Sequence, residues 1–169
     1  MTNPARINRL TVDFSQCPDL VVIYLGMGIK SPRGVLTLMK LRPQIRKAVE
    51  AKPDGLLLHE DLFFSLVPPH VGMRQYWRDL DALEKWTREL PHHDWWTAFL
   101  RDPGGTYFWH ETYCRKGGFE FIYDGLDQPF GALKFATAVP ARGRMFSART
   151  RIDPAATAPK APVLEDELN

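Results

Sequence analysis

The stretch LVVIYLGMGI, residues 20–29, is a continuous run of apolar and β-branched side chains. A run of this kind, without polar alternation, predicts a β-strand that is covered on both faces. A helix-start signal follows at once, because Ser31 is suited to cap a helix and Pro32 to occupy its first position. The stretch therefore predicts the first strand of a mixed α and β domain, followed directly by a helix.

The segment that follows has helix-like apolar spacing from Val35 to Val49, with Pro43 inside it. Because a proline within a helix removes one backbone hydrogen bond, the sequence predicts a kink or a break into two short helices at Pro43. A turn signal, KPDG, follows at 52–55. The strand-like runs 55–67 and 72–78, separated by PPH, then predict an antiparallel hairpin.

A second helix is predicted after the hairpin, capped by Asp79 or Asp81 and closed by Pro91. Residues 94–100 (DWWTAFL) start another short helix. The run 107–114 (YFWHETYC) predicts a strand that pairs at its end with a further strand at 119–123.

The resulting order, β-α-β-β-α-β, predicts an α+β, ferredoxin-like fold, in which one antiparallel sheet has helices on one face. The other face of the sheet then needs a cover. In a chain of this size a second copy, packed sheet against sheet, is the most economical cover, so the fold predicts a homodimer. The predicted domain spans 20–135. Residues 1–19 form an N-terminal extension with a possible edge strand at 8–14, and 136–152 form a C-terminal extension. Residues 153–169, rich in Pro, Ala and acidic side chains, form a disordered tail.

The composition of the 169 residues, 44% hydrophobic and 25% charged, is that of a globular domain. No apolar run is long enough for a transmembrane helix, and the start of the chain lacks the apolar core of a signal peptide, so we expect a cytoplasmic protein that does not associate with membranes. A net charge of +2 argues against nucleic-acid binding. Cys17 and Cys114 are expected to be free thiols. No nucleotide-binding, serine-hydrolase or zinc-protease motif is present.

Two motifs resemble a known family: QYWRDLDALEKW at 75–86, and WHETY at 109–113 followed by FEFIY at 119–123. With the rest of 20–135, they are similar to the monooxygenase-like dimeric α/β-barrel proteins related to the antibiotic-biosynthesis monooxygenases. The resemblance implies a ferredoxin-like dimer. It leaves the reaction open, because some relatives oxidise small aromatic molecules without a cofactor, whereas others, such as the aldoxime dehydratases, use haem. The cofactor is therefore predicted to be either none or haem.

His110 is the most interesting single residue, because strand alternation places it on the opposite face from Trp109 and Glu111. Three interpretations stay open. His110 is a hydrogen-bonded histidine of the core or interface, or the axial ligand of a haem iron, or a general base. The two functional interpretations assume that His110 points into the barrel, and they lose most of their force if it faces the helices. His93 is an alternative haem ligand.

The other candidate site residues are aromatic or cationic. Trp77 is a candidate wall of a substrate pocket and Arg78 a candidate partner of an anionic group, although the sequence favours core packing for Trp77 and solvent or a helix-cap carboxylate for Arg78. The predicted pocket comprises Tyr24, Phe63, Trp77, Trp96, Phe99 and Tyr113, which could line an apolar cavity for a planar ligand or simply fill a small barrel.

The leading hypothesis is a monooxygenase-like oxidoreductase that acts on an apolar or aromatic small molecule, in bacterial secondary metabolism. Its substrate would lie between the sheet and the second helix, with His110, Arg78 and Trp77 as the catalytic residues. The alternatives are a haem-dependent lyase of the aldoxime dehydratase kind, with a histidine on the iron, and a small-molecule binding barrel without catalytic activity.

Overall fold

The computed structural model describes residues 16–129, 137–153 and 155–156, and within them five strands form one antiparallel sheet. The strands are β1 (Val21–Ile29), β2 (Leu56–Ser65), β3 (His70–Trp77), β4 (Thr106–Cys114) and β5 (Gly118–Asp124). Their spatial order is β2-β3-β1-β4-β5. The first four strands have the ferredoxin-like order, and β5 pairs along β4 from Cys114 opposite Gly118 to Phe108 opposite Asp124. The predicted α+β, ferredoxin-like fold is confirmed, with a fifth strand added at one edge.

In the described part of the chain, four α-helices accompany the sheet: α1 (Pro32–Glu50), α2 (Leu80–Arg88), α3 (His92–Arg101) and the short α4 (Ala148–Ile152), which follows a 3₁₀ turn at Gly143–Phe146. Asp79 caps α2 by accepting a hydrogen bond from the backbone N–H of Ala82 at 2.7 Å. The predicted break at Pro43 does not occur, since α1 continues through it. One missing hydrogen bond is tolerated because the other turns of this 19-residue helix remain bonded.

The hydrophobic core lies between the sheet and α2. Val21 and Ile23 of β1 pack there with Trp77 of β3 and with Ala82 and Leu83 of α2. Trp77 is 0% exposed, and its indole N–H donates to the side-chain oxygen of the neighbouring Gln75 at 3.1 Å. A large aromatic side chain whose only polar group is satisfied is a stable core residue.

The helices contact one face of the sheet, the face that carries Val21 and Ile23, and we call the opposite side the open face. Two glycines of β1 explain how the open face is shaped. A Cβ at Gly26 would lie 2.7 Å from the indole of Trp109, and one at Gly28 would lie 2.0 Å from the ring of Tyr107. The motif Gly-Met-Gly therefore gives two β4 aromatic rings room to lie flat against β1.

Two predictions about the ends of the chain fall largely outside the described residues: the edge strand at 8–14, and most of the tail from residue 153. Within the described ranges, no helix combines the length and the apolar character that crossing a membrane requires.

Candidate functional site

His110 lies in the middle of β4, opposite Leu25 of β1 and Ile122 of β5. Its ring contacts Phe108 and Glu120, while Trp109 packs against Phe64 and His70 on the open face. The predicted alternation is therefore confirmed. His110 therefore faces the helices and not the barrel interior that the two functional interpretations assumed, so a functional role for it depends on its neighbours on the helix side.

The closest polar neighbour of His110 is a carboxylate on the adjacent strand. Nε2 of His110 lies 2.8 Å from Oε1 of Glu120, and the hydroxyl of Thr112 donates to the same oxygen at 2.7 Å. Thr112 is paired directly with Glu120 in the sheet, which places Glu120 diagonally across from His110 on the same face. The sequence analysis missed Glu120, although the register of the two strands could have pointed to it.

The second oxygen of Glu120 is held by an arginine from the C-terminal part of the chain. Arg151 of α4 reaches Oε2 of Glu120 with Nε at 2.9 Å and with a terminal nitrogen at 2.8 Å. The side chains of Glu120 and Arg151 are only 3% and 10% exposed. Burial raises the pKa of Glu120, but the nearby His110, Arg151 and Thr112 outweigh it and lower the pKa to about 2. Glu120 is therefore ionised at neutral pH.

This arrangement indicates which nitrogen of His110 carries a proton. An ionised carboxylate only accepts hydrogen bonds, so Nε2, which lies 2.8 Å from Glu120, is a protonated nitrogen. In the neutral tautomer Nδ1 carries the lone pair, and no group among the described residues donates a hydrogen bond to it. A histidine oriented in this way by a carboxylate can accept a proton at its other nitrogen.

An aromatic wall stands beside His110 on the helix face. Trp96 and Phe99 of α3 stack with ring centroids 5.4 Å apart, and Phe108 meets them edge-on at 5.1 Å and 5.7 Å. Phe108 is also 5.9 Å from the ring of His110. Unlike Trp77 in the core, these side chains are only partly buried. Leu25 and Met27 of β1, which pair with His110 and Phe108, are partly buried as well. We call this region the helix-side cleft: Leu25, Met27, Trp96, Phe99, Phe108 and His110.

The two histidines at the start of α3 have different surroundings. Nδ1 of His92 lies 3.1 Å from the backbone oxygen of Thr87, and the ring packs 4.7 Å from that of Trp86. Burial, together with the neighbouring His110 and His93, lowers the pKa of His92 to about 4, so His92 is neutral at pH 7. His93 is partly exposed, and its Nδ1 lies 3.4 Å from the carboxylate of Asp94 on the same helix.

Trp77 and Arg78 lie outside the helix-side cleft. Trp77 is part of the core, as described above, and Arg78 lies on the surface. The guanidinium of Arg78 is 3.0 Å from both Asp54 and Asp79, and it connects the turn before β2 to the beginning of α2. The structure thus corrects the prediction that these residues wall a pocket and hold a substrate anion. It agrees with the alternative that the sequence left open, core packing and pairing with a helix-cap carboxylate.

The sheet separates the residues that the sequence grouped into one pocket. Trp96 and Phe99 lie on the helix side, whereas Tyr24 and Tyr113 meet edge-on on the open face with ring centroids 6.0 Å apart. There they line a shallow cavity of about 410 Å³ together with Val22 and Tyr76. Phe63 belongs to neither group, since it lies on the edge strand β2 and is 60% exposed.

The charged side chains of the open face are paired with one another or with tyrosines. Arg74 binds Glu60, with Nε 2.7 Å from its carboxylate, and donates to the hydroxyl of Tyr24 at 3.1 Å. On the other half of the face, Glu111 accepts hydrogen bonds from Tyr113 at 2.7 Å and from Tyr123 at 2.5 Å. Burial and this bond raise the pKa of Tyr113 to about 12. Arg74 and Glu60 compensate each other's charge, and the carboxylate of Glu111 is stabilised by two hydroxyl groups.

The sequence model of the monooxygenase af470-like family matches residues 20–132. The chain belongs to this family. The resemblance noted from the sequence is thereby confirmed, and α4 with Arg151 lies beyond the matched residues. No curated protein sequence matches the chain.

Solved structures with similar folds include proteins of different chemistry. The crystal structure of aldoxime dehydratase is 22% identical with a TM-score of 0.48, covering 59% of this chain and 29% of its own. SnoaB, a cofactor-independent oxygenase from Streptomyces nogalater, is 13% identical with a TM-score of 0.41, covering 55% and 90%. A protein assigned to the antibiotic biosynthesis monooxygenases, from Deinococcus radiodurans, is 16% identical with a TM-score of 0.42, covering 65% and 96%. This af470-like chain spans less than a third of the length of the aldoxime dehydratases that it matches.

Proposed function

We propose that the protein is an oxygenase that oxidises an apolar or aromatic small molecule with O₂ and uses His110 as its general base. The observation that carries the proposal is the 2.8 Å contact between Nε2 of His110 and the ionised Glu120. This contact leaves the lone pair of Nδ1 available beside the helix-side cleft. Membership of a monooxygenase-like family supports the same reaction class.

The cleft favours a planar substrate of low charge. Its wall consists of the rings of Trp96, Phe99 and Phe108, which present flat apolar surfaces and ring edges to a ligand. The substrate also needs an acidic C–H bond, because an imidazole base removes a proton only where the resulting negative charge is delocalised. A CH₂ group between an aromatic ring and a carbonyl, or within a phenolic ring system, satisfies both requirements.

The reaction needs only the substrate, O₂ and one base. The substrate C–H bond breaks, its proton moves to Nδ1 of His110, and the electron pair stays on carbon as a delocalised carbanion. O₂ oxidises the carbanion and is itself reduced as it forms the new C–O bond of a peroxide. The imidazolium of His110 returns its proton, and loss of water leaves a carbonyl group, so that R–CH₂–R′ and O₂ give R–CO–R′ and H₂O.

The experiment measures O₂ consumption by the full chain with a panel of aromatic CH₂ ketones and phenols. Under ¹⁸O₂ we expect one labelled oxygen atom in the product. The variant His110→Ala should lose at least about tenfold in turnover, since a well-placed base contributes about 10²–10⁴-fold. His93→Ala, on the neighbouring helix, is the control and should retain turnover. A folded His110→Ala protein with unchanged turnover would remove His110 from the mechanism.

Haem dependence, the alternative from the sequence, was proposed with His110 or His93 on the iron. His110 fits such a role through Nδ1, because a metal-bound histidine commonly has its other nitrogen beside a carboxylate, as Nε2 of His110 lies 2.8 Å from Glu120. His93 instead has its Nδ1 3.4 Å from the carboxylate of Asp94 on the same helix. Titration of the purified protein with haemin tests the alternative. A histidine-type Soret band that is lost in His110→Ala would replace the base mechanism with an iron ligand.

A binding barrel without catalytic activity is the third hypothesis. It predicts saturable binding of planar aromatic ligands, measured by quenching of tryptophan fluorescence, without O₂ consumption for any bound ligand. Turnover of a single bound compound would exclude it. A role in secondary metabolism and a cytoplasmic location remain predictions from the sequence.

A second copy of the chain is our proposal for the cover of the open face. The face carries exposed apolar side chains, of which Phe119 is 60% exposed, and its charged groups are hydrogen-bonded within the chain. Two such faces can therefore pack together across a two-fold axis while these groups keep their hydrogen bonds. In solution we expect a mass of about twice 19.4 kDa.

A further inference from the structure

The residues 137–153, which we call the C-terminal arm, lie beyond the part of the chain that the family model matches. Their helix α4 nevertheless supplies Arg151, the arginine bound to Glu120. We propose that Arg151 is a positioning residue, which neutralises Glu120 so that His110 can remain an uncharged base. The inference rests on the proposed function. It means that the C-terminal arm completes the site by supplying Arg151.

The guanidinium of Arg151 is held from two sides. One of its terminal nitrogens donates to the backbone oxygens of Met145 and Phe146 at 2.7 Å and 2.9 Å, while Nε and the other terminal nitrogen face Glu120. Each of its three nitrogens thus has a partner in the protein. Both nitrogens that face Glu120 reach its Oε2, so two charged N–H groups hold this single carboxylate oxygen.

The arm itself is attached to a different element through a second arginine. Nε of Arg149 lies 3.2 Å from Glu84 of α2, and its terminal nitrogen contacts Asp81. Arg149 therefore anchors the same short helix without approaching His110 or Glu120. Arg149 thus attaches the arm to α2, whereas Arg151 brings a positive charge to Glu120.

The role of Arg151 follows from the burial of Glu120. A carboxylate that is only 3% exposed is stable when a positive group compensates its charge. Arg151 provides that charge, so the compensation of Glu120 does not require a positive charge on His110. Without Arg151, protonation of His110 becomes the nearest remaining source of a positive charge, and a protonated imidazole is no longer a base.

The other ionisable groups near His110 act on its proton less directly. Asp124 lies on the same face of β5, where burial raises the pKa of its carboxyl group and nearby His110 and Arg151 lower it. His92 approaches from α3 and is neutral at pH 7 because its pKa is lowered to about 4. On the β1 side the paired residue is the apolar Leu25. Arg151 is therefore the group among these that is positively charged whatever the protonation state of His110.

The experiment follows the ring signals of His110 by NMR across a pH titration of the full chain, with His110→Ala to assign them. In Arg151→Met we expect His110 to take up its proton at a pH higher than in the wild type by roughly one unit or more. Arg88→Met is the control, because it removes an arginine charge from α2, where Arg88 pairs with Glu84, and leaves both arginines of the arm in place. It should titrate like the wild type, and equal titrations in Arg151→Met and Arg88→Met would overturn the proposal.

Two further variants keep the test decisive if Arg151→Met does not fold. Arg151→Lys retains the positive charge, so the titration of His110 should stay close to that of the wild type. In a Glu120→Gln background there is no carboxylate charge at this position for an arginine to compensate. Adding Arg151→Met to that background should therefore shift the titration of His110 by less than half as much as it does in the wild-type background. A Lys variant that titrates far above the wild type, or an undiminished shift in the Glu120→Gln background, would contradict the proposal.

The titration is independent of turnover, so failures of the two proposals are distinguishable. If His110 titrates as expected but His110→Ala retains O₂ consumption, the base mechanism fails and the charge relationship stands. If His110→Ala is inactive and Arg151→Met leaves the titration unchanged, the base mechanism stands and the role of Arg151 fails. If both hold, Arg151→Met should regain turnover as the pH is raised, whereas His110→Ala should not.

Discussion

Oε1 of Glu120 lies 2.8 Å from Nε2 of His110, diagonally across two paired strands on the face of the sheet that the helices cover. His110 and Glu120 are ten positions apart in the sequence, and the alternation of side chains along their two strands places both on this face. Their contact orients the imidazole of His110 beside a buried carboxylate.

The variant Glu120→Gln removes the charge that holds the proton on Nε2 of His110 and leaves the shape of the side chain nearly unchanged. We expect turnover to fall by about ten- to hundredfold, the usual effect of losing a group that orients a functional histidine. The measurement is O₂ consumption at saturating substrate. Glu84→Gln is the control, since Glu84 is also a buried carboxylate paired with an arginine but lies on α2. Equal losses in both variants would indicate a general effect on stability.

The free energy of unfolding should depend on whether Glu120 is ionised. Its pKa is lowered from 4.5 to about 2 in the folded protein, so its contribution to the free energy of unfolding is fully present above about pH 4.5. That contribution is lost as the pH falls through the folded pKa. Urea unfolding at pH 7 and pH 3 should show a difference between the wild type and Glu120→Gln that shrinks at pH 3. A difference that is constant with pH would contradict the lowered pKa.

Trp96 should contribute to substrate binding rather than to proton transfer. Trp96→Leu removes one stacked ring from the helix-side cleft, and an aromatic pair is worth roughly 1 kcal/mol, so KM should rise by about fivefold while kcat changes little. Trp95→Leu is the matched control on the same helix, because the Trp95 indole N–H donates to Gln44 of α1. If KM rises more in Trp95→Leu than in Trp96→Leu, the substrate binds on the other side of α3.

The dimer can be tested with two phenylalanines that are equally exposed on opposite faces of the sheet. Phe119 and Phe63 are each 60% exposed, on the edge strands β5 and β2. Phe119→Arg places a charge on the open face and should raise the dissociation constant of the dimer at least about tenfold. Phe63→Arg should leave it unchanged. Light scattering across a concentration series distinguishes the two, and a monomeric wild type at micromolar concentration would rule out the dimer.

Much of the fold could be predicted because its signals are local. The apolar run that became β1 (Val21–Ile29), the cap at Asp79 and the turn between the hairpin strands each depend on residues that are neighbours in the sequence. The alternation of His110 and Trp109 could be predicted for the same reason. The continuation of α1 through Pro43 could not, because it depends on the sum of the helix's remaining hydrogen bonds.

The sequence by itself determined the order of the strands and helices, the family, and the opposite orientations of neighbouring residues in β4. Tertiary structure alone decided which face the helices cover, and so whether His110 meets helices or the open face. It also decided that Tyr24 and Trp96 lie on different sides of the sheet, and that Glu120 and Arg151 meet at His110. The physical reason is that a strand's period of two residues fixes which side chains share a face, whereas the choice of face depends on where distant helices pack.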